Sequence, residues 1–299
     1  MCATGLQDAR AIKVSSQTRP IWNVFVKQGL LNLCVRVLGA NIMTAKLVDL
    51  FVYPIKGLSA QRLCSVALRT GQGFPLDRAF GFARPDSGFD PENPTPLPKS
   101  KFVVLAKDAA LAKLQTSYDT DLNQLNFRVG ADETTFDIST DEGRESAANF
   151  LARFLEYPPS MQPTLFSAAP HKFTDVSVIS PSLMNAVSLI NLDSISALSS
   201  AIGKPVEARR FRGNILVSGL PAFSELDLIG KDITIGDVTF TVVQHTKRCP
   251  ATQVNPNTAE RDLDIPAMLR QHFGHPNLGV YLDVRSDGSI QPGDRVSIK

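Results

Sequence analysis

Apolar positions recur along most of the chain in short runs with a period of two, the spacing of half-buried strands. The clearest run is 238–243, with Val238, Phe240 and Val242 on one face and Thr239, Thr241 and Val243 on the other. The run 46–53 (KLVDLFVY) predicts a strand that Pro54 stops. Further strands are expected at 63–68, 77–83, 102–106, 125–129 and 134–138, the last two as a hairpin. Beyond residue 170 the same pattern predicts strands at 176–179, 214–218, 233–235, 280–284 and 296–298. Helical spacing is rarer. It predicts a short helix at 109–115, an amphipathic helix at 141–155 with Asp141 as N-cap, and a helix within 189–202 that ends at Gly203. A fourth, at 266–273, has Pro266 in its first turn.

Turn chemistry separates these runs. Pro54-Ile55-Lys56-Gly57 places a lysine at a turn, Gly71-Gln72-Gly73 makes another, and Gly236-Asp237 and Pro292-Gly293-Asp294 precede strands. Residues 85–98 hold five prolines and read as a loop. Many short strands with few helices define a β-rich α+β protein whose first domain is barrel-like. The proline-rich stretch 158–170 is the expected boundary, which gives an N-terminal extension at 1–43 and domains at 44–158 and 159–299. No internal repeat is visible.

With 299 residues the chain is long enough for two domains with cores of their own. The net charge of +2 hides an asymmetry. Residues 1–43 carry Arg10, Lys13, Arg19, Lys27 and Arg36 against Asp8 alone, which leaves 26 of the 31 bases and 28 of the 29 acids in 44–299. A mildly acidic body lacks the basic footprint of a nucleic-acid binder. An N-terminus rich in bases resembles a mitochondrial transit peptide, and the alternative is an extension ahead of a true start at Met43. Residues 21–39 are apolar but interrupted by Lys27 and Arg36, a poor membrane span. As a helix they would put Trp22, Phe25, Val26, Leu30, Leu33 and Val37 on one face. Four cysteines without CxxC spacing make neither a disulfide framework nor a zinc or iron–sulfur site, so a reducing compartment is expected.

Candidate chemistry centres on Cys249, where the strand at 238–243 gives way to a polar loop. His245, Lys247 and Arg248 precede it, and cations favour the thiolate that attacks or binds metal. An inert buried thiol is the alternative. Arg209, Arg210 and Arg212 stand before Gly213 and an apolar strand, a cluster that suits phosphate or, alternatively, forms a solvated edge. Lys56 and Arg78 are single cations that read as surface when taken alone. His272 and His275 lack a third metal ligand nearby. There is no GxGxxG, P-loop or GxSxG motif.

The order YPIKG, LDRAF, LPKSKF, RRFRGNI, KRCPATQVNPNT and IQPGDRV resembles the MOSC family, in its two-domain branch with an N-terminal β-barrel domain before a β-barrel MOSC domain. The resemblance covers residues 46–299. It implies a molybdenum cofactor (a molybdenum-bearing pyranopterin) with Cys249 as metal ligand and catalytic centre. It also implies cofactor contacts from Lys56, Arg78, Arg212 and Asn214, with Arg210 beside them and Asn191 and Ser194 ahead of a helix. The activity implied is reduction of N-hydroxylated substrates such as amidoximes and hydroxylamines. Pyridoxal phosphate binding belongs to the same set of expectations. With no cluster cysteines before Lys299, electrons are expected from an external haem, flavin or iron–sulfur protein. Asn255 and Ala259 replace an acid and a glycine common in relatives, and Gly57 stands where some have serine. The alternative function is sulfur carriage or cofactor handling through a persulfide on Cys249. Expected partners are a small-molecule substrate and the donor, with no nucleic acid and no firm membrane segment. The expected location is cytoplasmic, or mitochondrial if residues 1–43 are a targeting segment.

Overall fold

The computed structural model describes residues 45–299, so the expectations for 1–43 lie outside the described residues. The first strands are β1 (Lys46–Val52), β2 (Gln61–Leu63), β3 (Val66–Leu68) and β4 (Phe80–Ala83). A three-stranded sheet follows, β5 (Gln115–Asp119), β6 (Gln124–Val129) and β7 (Asp132–Asp137), and then α1 (Asp141–Phe154) and β8 (Thr164–Ser167). The remainder comprises β9 (Val187–Asn191), α2 (Leu192–Ile202), β10 (Ile215–Ser218), β11 (Asp232–Ile235) and β12 (Val238–Lys247). It ends with α3 (Ile265–Phe273), β13 (Asn277–Val284), β14 (Gly288–Ile290) and β15 (Val296–Ile298).

The main sheet runs β15-β11-β12-β13-β9-β10-β1-β2. It closes on itself at one end, where Leu47 N donates to Asp294 O (2.8 Å) and Val296 N to Ala45 O (2.8 Å). Closure removes exposed strand edges. The alternation read in β12 fills the interior: Val238, Phe240 and Val242 are buried with Leu47, Leu189, Ile215 and Leu282. β9 is buried at every position because both of its faces are covered. Val187 and Leu189 face the barrel core, and Ile190 lies under Leu198 of α2 and Leu269 of α3. β9 and β10 are parallel, and α2 supplies the crossover such a pair requires.

A second core joins Tyr118, Leu125 and Phe127 to Ala147, Ala148 and Leu151 of α1. Thr140, not Asp141, caps α1, since its hydroxyl accepts from Gly143 N at 3.0 Å. A third core is aromatic, with Phe89 packed on Phe173 (5.0 Å between centroids) and Phe102.

Several expectations change. Residues 102–106 form no strand: Phe102 makes one bridge to Ala83. The run expected at 176–179 is a single 3-10 turn, Val176–Val178, because Ser177 Oγ donates to Thr174 O and holds the chain bent. The helix expected from 109 is 3-10, Ala109–Lys113. β8 pairs back with β4 across the expected 158/159 boundary, and β1 and β2 join the main sheet through β10. Among the described residues no helix is long and apolar enough to cross a membrane.

Candidate functional site

Four chain segments leave strands or enter them at one place and line a cavity of about 710 Å³. They are the turn after β1, the residues before β4, the 3-10 turn Ala208–Phe211 before β10, and the chain leaving β12. β12 carries register shifts between Val242 and Gln244 and between His245 and Lys247. Such bulges bend a strand and re-aim its side chains. Arg248 and Cys249 follow directly. The chain then turns through Pro250–Gln253, where Thr252 N and Oγ1 both donate to Cys249 O (3.0 and 2.8 Å). Arg210 Nη1 donates to Gln253 O (3.1 Å), and its Nη2 pairs with Asp262 (2.7 Å). Cys249 is partly exposed and lines the cavity.

The first-domain cations sit opposite. Lys56 is buried, donates to Phe173 O (2.9 Å) and is ion-paired with Asp175. Burial lowers its pKa, and the Asp175 carboxylate only partly offsets that. Arg78 pairs with Asp77 and donates to Arg212 O (3.2 Å). Its own backbone is left-handed (φ 52°), as is that of Arg212 (φ 54°). Left-handed residues other than glycine are uncommon and concentrate at functional sites. Both guanidiniums lie 4.4 Å from the centroid of the Tyr53 ring.

Asn214 organises this side. Its Oδ1 accepts from Ser188 N (3.1 Å) and Oγ (2.9 Å), and its Nδ2 donates to Phe51 O (3.1 Å) and Asp77 Oδ1 (2.9 Å). Asp77 Oδ1 also accepts from Tyr53 N (3.0 Å). One buried amide therefore ties β1, β9 and β10 to the carboxylate that holds Arg78.

Two arginines of the inner cavity wall, Arg212 and Arg248, have no carboxylate within ion-pair distance among the described residues. Arg212 Nη1 donates to Leu58 O, and Arg248 donates to Phe211 O (2.9 Å) and Leu278 O (2.7 Å). Arg248 is buried and Arg212 half-buried, and both line the cavity. Burial lowers each pKa to about 10. Glu225 acts on Arg248, and Asp175 and Asp77 on Arg212, without a direct ion pair, and a cation of low exposure without a direct partner favours an anion beside it.

Of the expected site residues, Lys56, Arg78, Arg210, Arg212, Asn214 and Cys249 line the cavity. Asn191 and Ser194 do not. They are fully buried and bind the equally buried Glu225: Ser194 Oγ donates to its carboxylate (2.8 Å) and Asn191 Nδ2 does so at 3.0 Å. Asn191 also caps α2, accepting from Asp193 N (3.1 Å). A Cβ at Gly213 would meet Ile190 Cγ1 at 2.3 Å. Its missing side chain makes room for the core.

The sequence reading missed Lys99, Asp175, Asp77 and Tyr281, all of which line the cavity. Lys99 Nζ lies 3.9 Å from Asp175 and shares the cavity lining with Cys249. Burial alone would lower its pKa, but Cys249 and Asp175 outweigh it and the net shift is upward. Asp175 is held low although burial opposes it, because Lys56 and Lys99 flank it. Burial raises the Tyr281 pKa. Lys99 stands inside LPKSKF and was legible as a motif without a role. Asp175 and Tyr281 carried no signal. Among the described residues no three His, Cys, Asp or Glu side chains are grouped to hold a metal, so His272 and His275 form no such site.

A closed β-barrel presenting one thiol to a cation-lined cavity defines the class of protein by its fold and its site. The family model described as MOSC domain matches residues 171–297, and that described as MOSC N-terminal beta barrel domain matches 44–157. The chain belongs to the two-domain MOSC family. It is similar to mitochondrial amidoxime-reducing component 1 of Xenopus laevis, 29% identical over 182 residues, covering 54% of this chain and 52% of that protein. It is also similar to molybdenum cofactor sulfurase of Caenorhabditis briggsae, 32% identical over 112 residues, covering 36% of this chain and 15% of that protein. The chain thus spans about half the length of the first relative and a smaller part of the second. The solved YUAD protein of Bacillus subtilis aligns with a TM-score of 0.40 at 13% identity, over 85% of this chain and 94% of that one.

Proposed function

We propose that this protein binds a molybdenum pyranopterin cofactor through Cys249 and reduces N-hydroxylated compounds with electrons from an external donor. The observation that carries this reading is the convergence of one thiol and the two arginines without a direct ion pair, Arg212 and Arg248, on the same cavity. The donor set fits the group. A thiolate suits a soft metal, and buried guanidiniums suit an anionic phosphate. Lys56, Arg78 and Arg212 would hold the cofactor's anionic part, and Cys249 would ligate its metal. Asn214 orients Asp77 and hence Arg78, while Arg210 fixes the turn that carries the thiol. When bound, the cofactor supplies the two-electron chemistry. The overall conversion takes two electrons and two protons, breaks the N–O bond, leaves N–H on the product and releases water. Pyridoxal phosphate forms no part of this reading.

The test is turnover of benzamidoxime by cofactor-loaded protein with a dithionite-reduced viologen dye as donor. Benzamidine formation that is lost in Cys249→Ser is expected. No product from protein shown to carry stoichiometric molybdenum would defeat the reductase reading.

A second reading, persulfide carriage on Cys249, draws support from the partial exposure of the thiol and from the sulfurase among the relatives. It expects a 32 Da addition (about one sulfur atom) on Cys249 after incubation with a cysteine desulfurase. An unmodified thiol in that experiment leaves the reductase reading alone.

A further inference from the structure

Resting on the reductase reading, we infer that the preferred substrate carries an anionic substituent, a carboxylate or a phosphate-like group, held by Lys247 and Arg270 at the rim of the cavity. The cavity is lined by eight cationic side chains and two carboxylates. Both carboxylates are engaged from within: Asp77 pairs with Arg78, and Asp175 pairs with Lys56 and Lys99. Asp262, outside the lining, neutralises Arg210. The deep cations Arg212 and Arg248 face the part of the cavity assigned to the cofactor.

Lys247 and Arg270 remain. Both are exposed, and neither has a carboxylate within ion-pair distance among the described residues. They border Cys249 from two sides. Lys247 ends β12 two residues before the thiol. Arg270 lies on α3, one helical turn beyond Pro266, which also lines the cavity, and α3 packs on the Pro250–Gln253 turn directly after the thiol. Arg270 makes one bond, Nη1 to Pro266 O at 3.3 Å, which leaves the rest of its guanidinium fork available. The same cavity lining includes the uncharged Pro250, Ala251 and Leu105. A substrate with an apolar body and an acidic end matches this arrangement. A cationic substrate meets repulsion from the same pair.

The experiment compares three ligands on the cofactor-loaded protein: benzamidoxime, 4-carboxybenzamidoxime and 4-phosphonobenzamidoxime. Dissociation constants come from isothermal titration calorimetry, independently of turnover, and KM from the dye-coupled assay. Expected is roughly tenfold tighter binding of at least one anionic ligand at low ionic strength, as for attraction by partly desolvated charges. That advantage should shrink severalfold near 0.5 M salt (roughly, from Debye screening), and the carboxylate and phosphonate arms identify which anion is read. The double variant Lys247→Gln/Arg270→Gln is expected to bring the ratio close to one. Lys247→Arg should restore part of it. Equal or weaker binding of both anionic ligands overturns the inference. So does an advantage that survives the double variant, or a variant that slows only reduction by a protein donor, which would make the rim a docking surface. Absent turnover with the binding ratio intact counts against the reductase reading and not against the anion preference.

Discussion

At position 57 a side chain would meet backbone. A Cβ on Gly57 would lie 2.7 Å from Val103 O and 2.8 Å from Val104 Cα, and its φ is +83°. Serine, present there in some relatives, therefore demands a shift of the turn that carries Lys56. Gly57→Ser is expected to destabilise the protein by about 1–3 kcal/mol, the usual cost of a strained left-handed residue, and to lower cofactor content with it. Urea denaturation monitored by circular dichroism checks the first, and an unchanged midpoint would contradict this account. The residue scale is also where the sequence was most legible for ligand candidates and least legible for their partners. Cys249 and Arg212 announced themselves through residue type and neighbours. Asp77 and Asp175 did not, because a carboxylate shows its role only when the cation it neutralises is known.

At the scale of elements, bulges and caps decide which side chains reach the cavity. The two register shifts in β12 break the alternation read from 238–243, so the positions of Gln244 to Lys247 could not be extrapolated from it. The family resemblance implied Asn191 and Ser194 at the cofactor. They lie outside the cavity lining, around Glu225, whose carboxylate also accepts from Gly279 N (3.3 Å). Ser194→Ala removes one donor from that buried carboxylate and is expected to cost about 1–3 kcal/mol, while leaving molybdenum content per folded chain unchanged. Denaturation and metal analysis on the same preparation test this. Loss of metal at unchanged stability would return Ser194 to the cofactor site. The 3-10 turn at Val176–Val178 shows the same limit: four apolar-leaning residues suit a strand, and a hydroxyl bond three residues back bends them.

On the scale of the whole molecule, the described residues form a closed barrel joined to a smaller sheet, helix and aromatic core, and that β-rich α+β character was legible from strand spacing. The closure between 45–47 and 294–296 was not, since no local pattern encodes a contact between segments so far apart in sequence. Packing on this scale covers all four tyrosines, Tyr53, Tyr118, Tyr157 and Tyr281, and burial raises each pKa, that of Tyr157 to about 12 with help from its bond to Asp108. A folded-state pKa above the unfolded value, near 10 for tyrosine, adds stability that is fully present below about pH 10 and lost as pH rises through the folded values. Absorbance near 295 nm should therefore stay low past pH 10 and rise together with loss of structure. Phenolate signal from a still-folded protein at pH 10 would contradict the burial described.

The measurement that bears most directly on the central claim is molybdenum and pterin content per chain, in wild type and in Cys249→Ser, from a host that loads other molybdenum enzymes. The account predicts near-stoichiometric metal and pterin in the wild type, and in the variant loss of metal or an altered metal spectrum. Wild-type protein free of both, from a host proven to supply them, would contradict it.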